Sequence, residues 1–184
     1  PTHVARHHGS GPDPQRQKEP HAHSITPDPA GRYALAADLG TDSIIVYEID
    51  YANGRLIAHG TPCRTPRAGA GPRHLAFHPN GRFAYVINEL DSTITIWGYD
   101  DDCGALNSVQ TISALPAGFA GISYAADIHA HPSGKFLYAS NRGHDSIAVF
   151  SIDNDTGQIA LRDFTATSGK IPRGFALDPA GAFL

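Results

Sequence analysis

The sequence predicts an all-β protein, a β-propeller of four-stranded antiparallel blades. Three observations carry this. A motif ending in Asp/His-Pro-x-Gly recurs at Gly31, Gly81, Gly134 and Gly181, a period near fifty residues. Within each period, apolar and polar residues alternate as they do along half-buried strands, as in Ser92-Thr93-Ile94-Thr95-Ile96-Trp97. The chain also carries 19 glycines and 14 prolines, which leaves little room for long helices. Four short strands per repeat of this length is the pattern of a propeller blade.

Residues 1–22 read as a loop, with Gly9-Ser10-Gly11-Pro12-Asp13-Pro14 followed by Gln15-Arg16-Gln17-Lys18. Residues 23–72, 73–125 and 126–172 read as three complete blade units, and 173–184 as a truncated fourth that stops inside its second strand. The register inside the units is close. Thirteen residues after each of the first three glycines stand Ile44, Ile94 and Ile147; sixteen after stand the aromatics Tyr47, Trp97 and Phe150, which are assigned to the core. Asp50, Asp100 and Asp153, then Gly54, Gly104 and Gly157, continue the series. In the second unit the strands fall near 73–77, 82–88, 93–99 and 106–112. Propellers close with about four to eight blades. Three and a fraction is too few, so the chain is expected to be part of a longer protein; the absence of methionine, even at position 1, points the same way.

Composition narrows the function. Hydrophobic residues make up 41% and charged residues 17%, and the net charge is −4, with no basic excess to favour nucleic acid. No stretch approaches the roughly 18 apolar residues of a membrane helix, and the first residues lack the apolar core of a signal peptide. Cys63 and Cys103, placed in a loop and a turn, lack metal-ligand spacing and a neighbouring base motif; a reduced, cytoplasmic setting is expected. His3, His7, His8 and His21 show no metal-binding pattern and read as loop residues, so neither a metal nor a cofactor is expected. His74, His78, His129, His131 and His144 recur at repeat positions and read mostly as structural or surface residues.

The topology singles out one rim. If the first strand of each blade runs from one face to the other, its start and the end of the second strand lie together, around the central channel. His23, Arg73 with His74, Ala126 with Asp127, and Arg173 start first strands. Asp38, Asn88-Glu89 and Asn141-Arg142 end second strands. Elsewhere one apolar residue answers another between units; here the residues are polar and differ from unit to unit, which marks a candidate site. Arg73, Arg142 and Arg173 are permanent cations with planar donor forks suited to phosphate or carboxylate. Glu89 among them would be held ionised, and His23 titrates near neutrality and is the natural proton carrier. The set suits an anionic small molecule with proton transfer or water activation, and Arg173, Asn88, Asp127 and His74 are expected to bind substrate. No Gly-x-Ser-x-Gly elbow or phosphate-binding glycine loop is present.

Gly71-Pro72-Arg73-His74-Leu75-Ala76-Phe77-His78-Pro79 and Ala84-Tyr85-Val86-Ile87-Asn88-Glu89-Leu90 resemble the lactonase family of seven-bladed propellers, which holds bacterial 6-phosphogluconolactonases and a fungal carboxy-cis,cis-muconate cyclase. Pro20-His21-Ala22-His23-Ser24, Ala126-Asp127-Ile128-His129, Ser140-Asn141-Arg142-Gly143 and Pro172-Arg173-Gly174-Phe175 are similar to it as well. The resemblance implies a histidine, two arginines and a glutamate at the channel mouth, matching His23, Arg73, Arg142 and Glu89, with Arg173 matching a further family arginine. It implies a small anionic lactone as substrate and no obligatory metal. The expected activity is hydrolysis of 6-phosphogluconolactone or a similar sugar lactone, with His23 or Glu89 as the base. A muconate-type lactonising cyclase and a non-catalytic binding propeller are the alternatives. No nucleic-acid or membrane partner is expected, and oligomeric state is not legible.

Overall fold

The computed structural model describes residues 3–184. Twelve strands form three four-stranded antiparallel sheets, each meandering in chain order. The first holds β1 (Ala22–Pro27), β2 (Tyr33–Asp38), β3 (Ser43–Asp50) and β4 (Arg55–Arg64). The second holds β5 (Pro72–Phe77), β6 (Phe83–Asn88), β7 (Thr93–Asp100) and β8 (Ala105–Ser113). The third holds β9 (Tyr124–Ala130), β10 (Phe136–Arg142), β11 (Ser146–Ile152) and β12 (Ile159–Ala166). The expected propeller blades are therefore present.

Burial explains the strand sequences. Every residue of β2 and β6 is buried, and both strands read as nearly continuous apolar runs ending in Asp38 and Asn88. The outer strands β4 and β8 are largely exposed and correspondingly polar. Between the first two sheets Leu35, Ile44, Val46, Val86 and Trp97 form one core; between the second and third, Tyr85, Ile94, Ile96, Leu137 and Phe150 form another. Tyr47, Trp97 and Phe150 are all buried, as their shared register requires. Burying side chains of this size contributes about 1.5–3 kcal/mol each, so it is packing between sheets that seats one blade against the next. β1, β5 and β9 run side by side as the inner strands.

The Asp/His-Pro-x-Gly motif closes the β1–β2, β5–β6 and β9–β10 turns. Gly81 N donates to His78 O at 2.9 Å and Gly134 N to His131 O at 2.8 Å, with both glycines at positive φ. The histidines also tie blades together: His78 Nε2 donates to Gly134 O at 2.9 Å and His131 Nε2 to Gly181 O at 3.0 Å. His78 and His131 are structural residues.

Two local expectations need correction. Cys63 lies in β4, opposite Ile44, rather than in a loop. The two strands expected after residue 173 do not form. Residues 173–184 keep the Asp178–Gly181 turn and one rung across it, Asp178 N to Phe183 O at 3.1 Å, without a ladder.

Candidate active site

The candidate site is built by a bulge repeated in every inner strand. Ala22 pairs with Asp38 and Ser24 with Ala37, so His23 has no cross-strand partner. Pro72 pairs with Asn88 and His74 with Ile87, which leaves Arg73 in the same position. In the third sheet Ala125 pairs with Asn141 and Ile128 with Ala139, so Ala126 and Asp127 together face Ser140. A bulge inserts a residue, bends its strand and re-aims a side chain. Here it does so at the rim facing the channel, on each blade.

Glu89 is the centre of the arrangement. Its main-chain N donates to Gly71 O at 2.7 Å, which fixes it just beyond β6. Its side chain is 4% exposed and meets three guanidinium groups. Arg73 Nε donates to Oε2 at 2.8 Å and Arg142 Nη2 lies 2.9 Å from the same oxygen. Arg16 Nη2 donates to Oε1 at 2.6 Å. Burial opposes ionisation of Glu89, but the Arg16 hydrogen bond and the charges of Arg142, Arg16 and Arg73 outweigh it. The carboxyl is held below its ordinary range.

Arg73 and Arg142 are also fixed to the main chain. Arg73 Nη1 donates to Ala126 O at 2.7 Å; Arg142 donates to Tyr124 O and Ala125 O, both at 3.2 Å. His23 completes the group, with Nε2 3.9 Å from Glu89 Oε2. Its Nδ1 lies 3.1 Å from His21 O. A carbonyl only accepts, so Nδ1 carries the proton, and Nε2 of the neutral ring is an acceptor with no hydrogen-bond donor on it among the described residues. Burial is the main force lowering the His23 pKa below the ordinary imidazole value, which favours this neutral form.

The structure thus brings His23, Arg73, Glu89 and Arg142 together at one rim. The other four residues divide. His74 Nδ1 meets Asp127 Oδ1 at 2.7 Å and its Nε2 lies 2.9 Å from Arg73 Nη1. Arginine can only donate, so Nε2 accepts and Nδ1–H donates to Asp127. Asp127 is held further by the main-chain N–H of Ile128 and Phe175 and by His129. Burial raises its pKa, but the hydrogen bonds from His129 and His74 outweigh this and keep it well below the usual carboxylate range. His74 and Asp127 therefore form a chain that orients Arg73. Asn88 is fully buried and its amide donates to Thr93 Oγ1 and Thr95 Oγ1, so it braces β6 against β7. Arg173 is exposed and binds no carboxylate among the described residues, yet its charge is felt at Arg73.

Two residues of the entry loop were not anticipated. Arg16 clamps Glu89, and His7 hydrogen-bonds the buried carboxylate of Asp38, which also accepts from His21 N and Thr41 N at 2.9 Å. Neither has a counterpart in the repeat, so no internal comparison could expose them. Arg16 and His23, with Gln15, His21 and Leu39, line a cavity of about 200 Å³. A larger depression of about 390 Å³ lies on the uncovered face of the first sheet; Ala5, Ile25, Ala36 and Leu56 make its lining mainly apolar, and it also takes in His7, Ser24 and His23 but none of the arginines.

The same architecture occurs in solved structures. A protein from Lactobacillus plantarum matches with a TM-score of 0.90 and 36% identity, over 97% of this chain and 50% of that one. The periplasmic gluconolactonase of Pseudomonas aeruginosa matches at 0.89 and 36%, over 98% of this chain and 50% of its own. In sequence, the 6-phosphogluconolactonase of Bacillus subtilis is 39% identical over 184 residues, 100% of this chain and 51% of the relative. That of Pectobacterium carotovorum is 44% identical over 162 residues, 88% of this chain and 48% of the relative. The chain spans about half the length of the curated relatives it matches. The family description "Lactonase, 7-bladed beta-propeller" matches residues 1–184, so the chain belongs to the family of seven-bladed β-propeller lactonases.

Proposed function

We propose that the whole protein hydrolyses an anionic sugar lactone, 6-phosphogluconolactone or a close analogue. The observation that carries this reading is the convergence of three guanidinium groups on buried Glu89, with the acceptor His23 Nε2 3.9 Å away. The names of the relatives support the substrate class. A carboxylate paired with three cations is a weak base, whereas a neutral imidazole is well suited to take a proton near pH 7. We therefore assign His23 as the base that takes a proton from water as its oxygen attacks the lactone carbonyl carbon. Arginine N–H groups at the rim stabilise the negative charge that develops on the carbonyl oxygen. The ester C–O bond then breaks, and the imidazolium returns the proton to the leaving alkoxide. Glu89 steadies the imidazolium between these steps and holds the arginines in place. Asp127 and His74 position Arg73, and Arg173 adds a cation toward the substrate. The free thiols of Cys63 and Cys103 support a reducing, cytoplasmic setting.

The test is lactone opening in a pH-stat, corrected for spontaneous hydrolysis and run on the whole gene product. Arg73→Ala and Glu89→Gln are each expected to lower kcat/KM about a hundredfold or more, the scale for losing one oxyanion or acid–base group. Wild-type rates in both variants would refute the assignment.

A further inference from the structure

Arg16 reaches the site on a loop built to present it. Gln17 is fully buried; its Nε2 donates to Leu39 O at 2.8 Å, and its Oε1 accepts from Asp13 N at 3.0 Å. Asp13 Oδ1 in turn accepts from Gln15 N at 2.8 Å and Arg16 N at 2.9 Å. Gly11 packs so closely on Gln17 that a Cβ there would lie 2.5 Å from Cδ. Arg16 is therefore anchored at its backbone while its head group remains accessible.

The three guanidiniums on Glu89 are not equivalent. The Arg73 side chain is 3% exposed and that of Arg142 15%, and both also bind main-chain carbonyls. Arg16 is 40% exposed and its side chain binds no carbonyl among the described residues; its head group bonds Glu89 and lies 5.8 Å from the centre of the Tyr124 ring. A guanidinium has five N–H donors, so most of its capacity is unspent. It faces the same cavity as His23.

We propose that Arg16 is the specificity-determining residue of the site: it takes the anionic substituent of the lactone in the cavity it shares with His23, while Arg73 and Arg142 stay on Glu89. This rests on the lactone-hydrolase reading above. The test compares three substrates on the whole gene product: 6-phosphogluconolactone, a glucarolactone carrying a carboxylate, and neutral glucono-1,5-lactone. The wild type should prefer the anionic lactones by kcat/KM, and the better of the two identifies the group bound. Arg16→Gln should cut that preference about tenfold or more, the scale of a charge-assisted hydrogen bond. Arg16→Lys should retain part of it, and Lys18→Gln, a charge change at a neighbouring exposed residue, should leave it intact. An unchanged preference in Arg16→Gln, with both substrate types slowed equally, would make Arg16 a mere brace for Glu89 and overturn the proposal. An equal loss in Lys18→Gln would overturn it in favour of general charge attraction. If the wild type opens none of the lactones, the proposed reaction fails separately. Calorimetric titration with inorganic phosphate then decides on Arg16: binding lost in Arg16→Gln upholds its role as an anion ligand, and binding unchanged or absent overturns it.

Discussion

His23 accepts a proton only when its ring is neutral, and burial lowers its pKa from 6.5. Activity should therefore rise with pH along an acid limb whose midpoint lies below 6.5; a kcat/KM–pH profile checks this, and His23→Gln should abolish the limb with the rate. The His74 tautomer offers a second check. Replacing Asp127 by Asn allows the amide to donate to His74 Nδ1, which turns Nε2–H toward the Arg73 N–H groups, donor against donor. Asp127→Asn is expected to lower kcat about 10–100-fold, by analogy with other orienting groups that act through a base or cation, and circular dichroism should show the fold retained. Most of the rim was legible in the sequence, because the repeat makes a polar residue at a variable position stand out against its counterparts. That logic placed His23, Arg73, Glu89 and Arg142 on the rim, and the family resemblance singled them out as the catalytic group. It fails for Arg16, which has nothing in the other blades to be compared with. At Asn88 the rim position holds an amide whose nitrogen is turned to Thr93 and Thr95 within its own sheet.

The elements that hold the site depend on a few backbone positions. Gly71 has φ +69°, its carbonyl receives Glu89 N–H, and a Cβ on it would lie 2.7 Å from Leu90 Cγ. Gly71→Ala should therefore displace Glu89 as well as strain the turn. A loss of about 1–3 kcal/mol in denaturant unfolding together with reduced kcat is expected. At the matching place before Arg173 stands Ile171, at φ +58°. For a β-branched residue this conformation is strained, and Ile171→Gly should raise Tm by a few degrees, the usual effect of about 1 kcal/mol. Strand order and type were legible because period-two patterning and glycine-marked turns agree across three units. The bulges were not, since each lies at the start of a strand of six or seven residues, where too few residues precede it to show a change of phase. Cys63 escaped for a related reason: β4 is an exposed outer strand whose polar sequence looks like a loop.

Across the whole molecule, the two outermost blades carry apolar side chains on surfaces that interior blades bury. Ile25 is 51% exposed on the first sheet, and Phe136 is 39% exposed on the third. Residues 1–184 expressed alone should self-associate and bind a hydrophobic dye, measured by light scattering and fluorescence against the whole gene product. The partial fourth unit was read from its motif alone; the motif survives as a turn, but strands need neighbours that lie outside these residues. The recurring bulge has a wider consequence. Each blade delivers one freely chosen side chain to the axis from a position that neither the ladder nor the hydrophobic packing needs. Exchanging one such residue for another changes the chemistry of the rim while the strand pairing on either side stays in register, so blades of one repeat can differ in the reactivity they present.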